Sequence, residues 1–152
     1  MTNLKPDSQQ DSSGLRWSRL EDEREACVVV SDRMELVYIN TAARELVPGE
    51  WFGKRCFEVL PTVDQACAFH CPKIRAVNES VEVVYCEEDV MLGRSNRMVF
   101  GVGLIPLGPG GDDRARAILL LRAKGASVDE SAFRTQVLTE AKSLAQRVAS
   151  SA

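Results

Sequence analysis

A chain of 152 residues with 45% hydrophobic and 27% charged side chains has the length and balance of one average globular domain. At that size about 68–70% of the unfolded surface is buried on folding, so neither disulfides nor a structural metal is needed for stability. Nineteen Lys+Arg against twenty-two Asp+Glu leave a net charge of −3 with no long basic run, which argues against nucleic-acid binding. No apolar run approaches the ~20 residues of a membrane span, and the opening MTNLKPDSQQDSSG lacks the pattern of a secretory signal, so the cytoplasm is the expected compartment.

Residues 1–14 are polar and read as a disordered tether, and Leu15, Trp17, Leu20 and Ala26 among charges predict a short N-terminal helix over 15–26. Cys27-Val28-Val29-Val30-Ser31, the turn pair Asp32-Arg33 and Met34–Ile39 predict a β-hairpin. Asn40 precedes Thr41–Leu46 as the N-cap of a short helix that Pro48-Gly49 stops. GKRCFEVL at 53–60 and KIRAVNE at 73–79 read as two further short helices, with a cysteine-bearing loop between them. Strands are predicted at Val81–Cys86, Arg97–Leu107 and Arg116–Leu121, and Glu87-Glu88-Asp89 is expected to form a solvated turn. GPGG at 108–111 joins two strands, which disfavours a phosphate-binding loop. Over 126–152 helix formers dominate, and Phe133, Val137, Ala141, Leu144 and Val148 form an apolar seam, suited either to the chain's own sheet or to a dimer.

The single histidine, His70, sits before Cys71-Pro72, which removes Ser/His/Asp hydrolysis and His-rich metal sites. No paired carboxylates or phosphate loop emerges, so the chain is not expected to be an enzyme. Five cysteines without an export signal read as reduced thiols or a metal site. Cys56, Cys67 and Cys71 are spaced C-x10-C-x3-C, and Cys86 follows after fourteen residues. Soft thiolates suit iron–sulfur clusters and zinc, and these four complete the usual ligand number. Cys86 is the expected fourth ligand, with His70 or Cys27 as alternatives; Cys27 and Cys86 also read as apolar strand filler. Lys54, Arg55 and Lys73 flank the group, where positive charge favours thiolate.

The order of elements over 26–125 resembles the PAS sensory family. VVVSDRMELVYINTAARELV is similar to that family's opening hairpin and first helix, Gly53-Lys54-Arg55-Cys56-Phe57-Glu58-Val59-Leu60 to its Gly-Lys-x-Cys-Tyr/Phe-Glu-Val-Leu segment, and Cys67-Ala68-Phe69-His70-Cys71-Pro72 to a Cys-Pro-terminated loop in a subset of bacterial signalling members. The resemblance implies an α+β fold: a five-stranded antiparallel sheet over 27–125, short crossover helices covering its ligand face, and flanking helices at 15–26 and 126–152. It also implies that Cys56, Cys67 and Cys71 lie in that crossover. Some oxygen-sensing members hold an iron–sulfur cluster there, on tighter C-x2-C pairs than this sequence has. A flavin photosensor of the LOV type resembles the chain at Cys56, but Arg55 and Phe57-Glu58 replace its Asn and Arg-Phe, and haem lacks a well-placed axial histidine.

The expectation is therefore a redox- or oxygen-sensing module with a Cys-ligated iron–sulfur cluster. Zinc, a thiol–disulfide switch and a cofactor-free dimerisation module are the alternatives. Oxidation or loss of the centre would release residues 61–72 and shift a homodimer read by a downstream signalling protein, the output lying on another chain or outside this sequence.

Overall fold

The computed structural model describes residues 17–47, 49–59, 79, 82–91, 97–107, 115–125 and 129–150. Helix α1 covers 17–21, followed by β1 (Ala26–Ser31), β2 (Leu36–Ile39), α2 (Thr41–Leu46), α3 (Cys56–Val59), β3 (Val84–Met91), β4 (Arg97–Pro106), β5 (Ala115–Ala123) and the long α4 (Glu130–Ser150). The strands form one antiparallel sheet in the order β2-β1-β5-β4-β3, so the chain between β2 and β3 passes from one edge to the other. This is the α+β, PAS-like architecture that the resemblance implies.

The sheet is apolar on both faces, which is why β1, β4 and β5 read as continuous apolar runs rather than as alternating strands. The inner face packs Val28, Val30, Leu36, Val102, Leu104, Leu119 and Leu121 with Ala43 of α2 and Cys56 of α3. On the outer face Cys27, Val29, Ile105, Ile118 and Leu120 pack with Trp17 and Leu20 of α1 and with Phe133, Val137, Ala141, Leu144 and Val148 of α4. The α4 seam thus packs on the chain's own sheet. Two glycines allow the close approach: a Cβ on Gly103 would sit 2.7 Å from the Ala141 Cβ, and one on Gly101 would overlap the Phe133 ring.

Several boundaries differ from the sequence reading. Helix α1 ends at residue 21 and Ala26 already belongs to β1, because Ala26 pairs with Leu121. The 53–60 segment is helical only from Cys56, since Gly53 and Lys54 use their backbone groups on Leu36 of β2. Strand β3 runs to Met91, so Glu87-Glu88-Asp89 is strand rather than solvated turn, paired with Gly101, Phe100 and Val99. Among the described residues no helix is long and apolar enough to cross a membrane.

Candidate functional site

The described cysteines divide between the two faces. Cys56 is buried in the inner cluster, and Cys86, half-buried, packs against the same cluster. Alternation along β3 sends Val84, Cys86, Glu88 and Val90 one way and Tyr85 and Glu87 the other, as the sequence parity requires. Cys27, one residue off the inner-face parity of Val28 and Val30, is fully buried on the outer face. Burial first, and then the nearby Glu23 and Glu25 carboxylates, push its thiol up to about 12. It is an inert neutral thiol whose Sγ faces the Glu25 carbonyl at 3.6 Å. The sheet therefore separates Cys27, the alternative fourth ligand, from Cys56 and Cys86. Cys67, His70 and Cys71 lie outside the described residues.

The backbone of Cys56 is anchored to the hairpin. The hairpin turn places Met34 in the left-handed region at φ 65, a conformation that costs a non-glycine residue roughly 1–2 kcal/mol. The Met34 N–H donates to the Ser31 carbonyl (3.0 Å), and the Met34 carbonyl accepts the Cys56 N–H (2.8 Å). The Leu36 N–H donates to the Lys54 carbonyl (2.8 Å) and the Gly53 N–H to the Leu36 carbonyl (2.9 Å), with Gly53 at φ 79, where glycine carries no Cβ penalty. The start of α3 is in this way sewn onto the β2 edge. Its first turn is fastened by the Arg55 N–H donating to Glu58 Oε1 (2.8 Å).

Cys86 approaches from the opposite edge. Four strand steps separate β2 from β3, roughly 19 Å for a flat sheet at the usual ~4.8 Å spacing, so the two thiols border the inner face from opposite sides. A centre using both must lie across that face, where curl of the sheet shortens the span. Among the described residues no group of three or more His, Cys, Asp or Glu converges on one point. Cys56 and Cys86 thus share the inner cluster while flanking it from opposite edges, and the other two expected ligands, Cys67 and Cys71, lie outside the described residues.

Next to Cys86, the sequence reading missed Glu88. It is a carboxylate buried on the inner face, two residues along and directly opposite Phe100. Its neighbours point outward and are engaged: the Glu87 carboxylate accepts from the Tyr85 hydroxyl (2.8 Å) and the Lys124 ammonium (3.1 Å), and Asp89 forms a bidentate pair with Arg97. The Tyr85 hydrogen bond holds Glu87 below the usual carboxylate range; burial opposes it, and the Lys124 hydrogen bond and charge add to the lowering. Strict alternation from Cys86 reaches Glu88 because β3 continues to Met91.

Asn40 is fully buried and does more than cap α2. Its Oδ1 accepts from the Ala43 N–H (3.0 Å) and the Cys27 N–H (2.9 Å), while Nδ2 donates to the carbonyls of Leu20 (2.8 Å) and Glu25 (3.0 Å). One side chain thus ties α1, β1 and α2 together.

No family model matches the chain, and no curated protein matches it either. Solved structures do match in fold. The LOV protein of Rhodobacter sphaeroides aligns at 14% identity and TM-score 0.61 over 93% of this chain and 94% of its own. The PAS domain of an HTR-like protein from Haloarcula marismortui aligns at 13% identity and TM-score 0.54 over 82% and 100%. A PAS domain of a two-component sensor histidine kinase aligns at 15% identity and TM-score 0.54 over 77% and 99%. At these identities the likeness concerns architecture alone: the chain has the PAS-like fold.

Proposed function

We propose that the chain is a sensory module of PAS type in which Cys56, Cys67, Cys71 and Cys86 hold an iron–sulfur cluster, or another thiolate-bound metal, on the inner face of the sheet. The observation that supports this reading is the segregation of thiols: Cys56 and Cys86 share the inner cluster, whereas Cys27 is sealed on the outer face as a neutral thiol. Bound there, a cluster would supply one-electron chemistry with redox- or oxygen-dependent stability. The chain's own contribution is to fix Cys56 by the Met34 carbonyl and to present Cys86 from a strand whose reverse side is clasped to α4. The partner is a downstream signalling protein or a second copy of the chain, the compartment is the cytoplasm, and no enzymatic step is assigned to the module.

A second reading rests on the inner cluster itself, in which Val28, Leu36, Ile39, Val102, Leu104 and Leu119 pack against one another. Such a face also serves a cofactor-free interaction module or a thiol switch. Iron, zinc and sulfide analysis of protein purified without oxygen separates the two. Cys67→Ser/Cys71→Ser protein that keeps its fold and loses its metal supports the first, and unchanged metal content contradicts it.

A further inference from the structure

The end of α1 and the connector to β1 carry Glu21, Glu23 and Glu25, and each carboxylate meets a cation on a different element. Glu21 accepts from the Thr41 hydroxyl (2.6 Å) and the Arg44 guanidinium (2.7 Å) of α2. Glu23 lies 3.1 Å from Arg147 near the end of α4. Glu25 accepts from Arg122 Nε of β5 (2.8 Å), and the same guanidinium reaches Gln136 of α4 (3.4 Å). Helix α2 belongs to the inner layer and α4 to the outer one, so the connector joins the two layers directly.

Five residues of helix have no stability of their own, since isolated helices need about 12–15 residues to be even marginal in water. What holds α1 is therefore tertiary: Trp17 and Leu20 buried in the outer cluster that also contains Leu144 and Val148, the two Asn40 hydrogen bonds, and the three ion pairs. The Glu21 pair is the most exposed of the three and the Glu25 pair is more enclosed. Screening by salt accordingly acts first at α2 and last at β5.

We propose that residues 17–25 form an electrostatically fastened strap that couples the inner-layer helix α2 to the last turns of α4 around the sheet rather than through it. Tightening or loosening at Thr41 and Arg44 is passed along the strap to Arg147, so α2 and the end of α4 share one docking equilibrium. The inference goes beyond the metal reading and holds whichever group the inner face binds.

The test uses the full chain carrying Trp51→Phe, which leaves Trp17 as the sole tryptophan. Acrylamide quenching then reports strap docking, and amide hydrogen exchange over 144–148 reports the end of α4. Arg122→Gln/Arg147→Gln should make Trp17 quenchable and speed exchange at 144–148 about ten-fold, as expected for loss of two partly enclosed pairs. Glu21→Gln, which touches only α2, should speed the same amides about two-fold, the size of one exposed ion pair. Raising NaCl from ~0.05 to ~1 M in the Trp51→Phe protein should expose Trp17 before the sheet's circular dichroism changes, because screening shortens from ~14 Å to ~3 Å. Unchanged exchange at 144–148 in the Glu21→Gln protein, or Trp17 still buried after the double substitution or at high salt, overturns the strap.

Discussion

The two faces of the sheet are about equally apolar and are built for different ends. The outer face is closed: α4 lies on it for most of its length, Gly101 and Gly103 are shaped to receive Phe133 and Ala141, and Cys27 is sealed beneath. The inner face is equally buried but carries more polar and sulfur-bearing groups. Two thiols and a buried carboxylate sit among its aliphatic side chains, and Cys56 is held there at the cost of a left-handed Met34. The contrast teaches that strand parity decides which layer a cysteine in an apolar strand joins: Cys27 faces α4 and Cys86 faces the inner cluster.

Breaking the junction of the two faces should have the largest effect. Asn40→Ala removes the acceptor of two buried N–H groups and one of the donors to the Leu20 and Glu25 carbonyls, which costs roughly 3 kcal/mol and lowers the thermal midpoint by roughly 6–12 °C. Asn40→Asp keeps the acceptor and should lose less. Differential scanning calorimetry of the pair measures both.

Next comes a comparison of one face against the other. Gly103→Val should cost roughly 2–3 kcal/mol by overpacking against Ala141 and Val137, with faster amide exchange in α4. Leu104→Ala, one residue along on the inner face, should cost roughly 2–4 kcal/mol by opening a cavity while leaving α4 protected. Equal loss of α4 protection in both variants would mean that the faces are not independently packed.

A smaller effect sharpens the thiol distinction. Because Cys27 ionises at about 12 in the folded chain against an ordinary 9.0, the unfolded chain loses this proton first as pH rises. Folded stability should therefore be intact below pH 9 and fall between 9 and 12, by at most about 1.4 kcal/mol per pH unit. Urea denaturation at stepped pH should show this slope reduced in Cys27→Ala. At pH 8, alkylation followed by mass spectrometry should label Cys86 well before Cys27.

Much of this architecture was legible in the sequence. The Asn40 cap, the hairpin, the α4 seam and the opposed parities of Val83/Tyr85 and Val84/Cys86 all follow from local chemistry and period. What local pattern could not supply was the far end of β3. Glu87-Glu88-Asp89 has poor strand propensity, and pairing with β4 together with Arg97 and Lys124 overrides it. The alternating acids at 21–25 fall inside the helix predicted over 15–26, and their partners come from α2, α4 and β5, which bring an arginine to each. Of the proposed ligands, parity placed Cys86 and motif placed Cys56, whereas the separation of the two across the inner face depends on strand order, which no local window encodes.

The most direct test of the central proposal is an absorption spectrum with iron and acid-labile sulfide analysis on protein purified without oxygen, alongside Cys56→Ser and Cys27→Ser. The account predicts a broad charge-transfer band near ~400 nm with matched iron and sulfide, lost in Cys56→Ser and kept in Cys27→Ser. A colourless protein free of iron and zinc, or one whose metal survives Cys56→Ser, would contradict it.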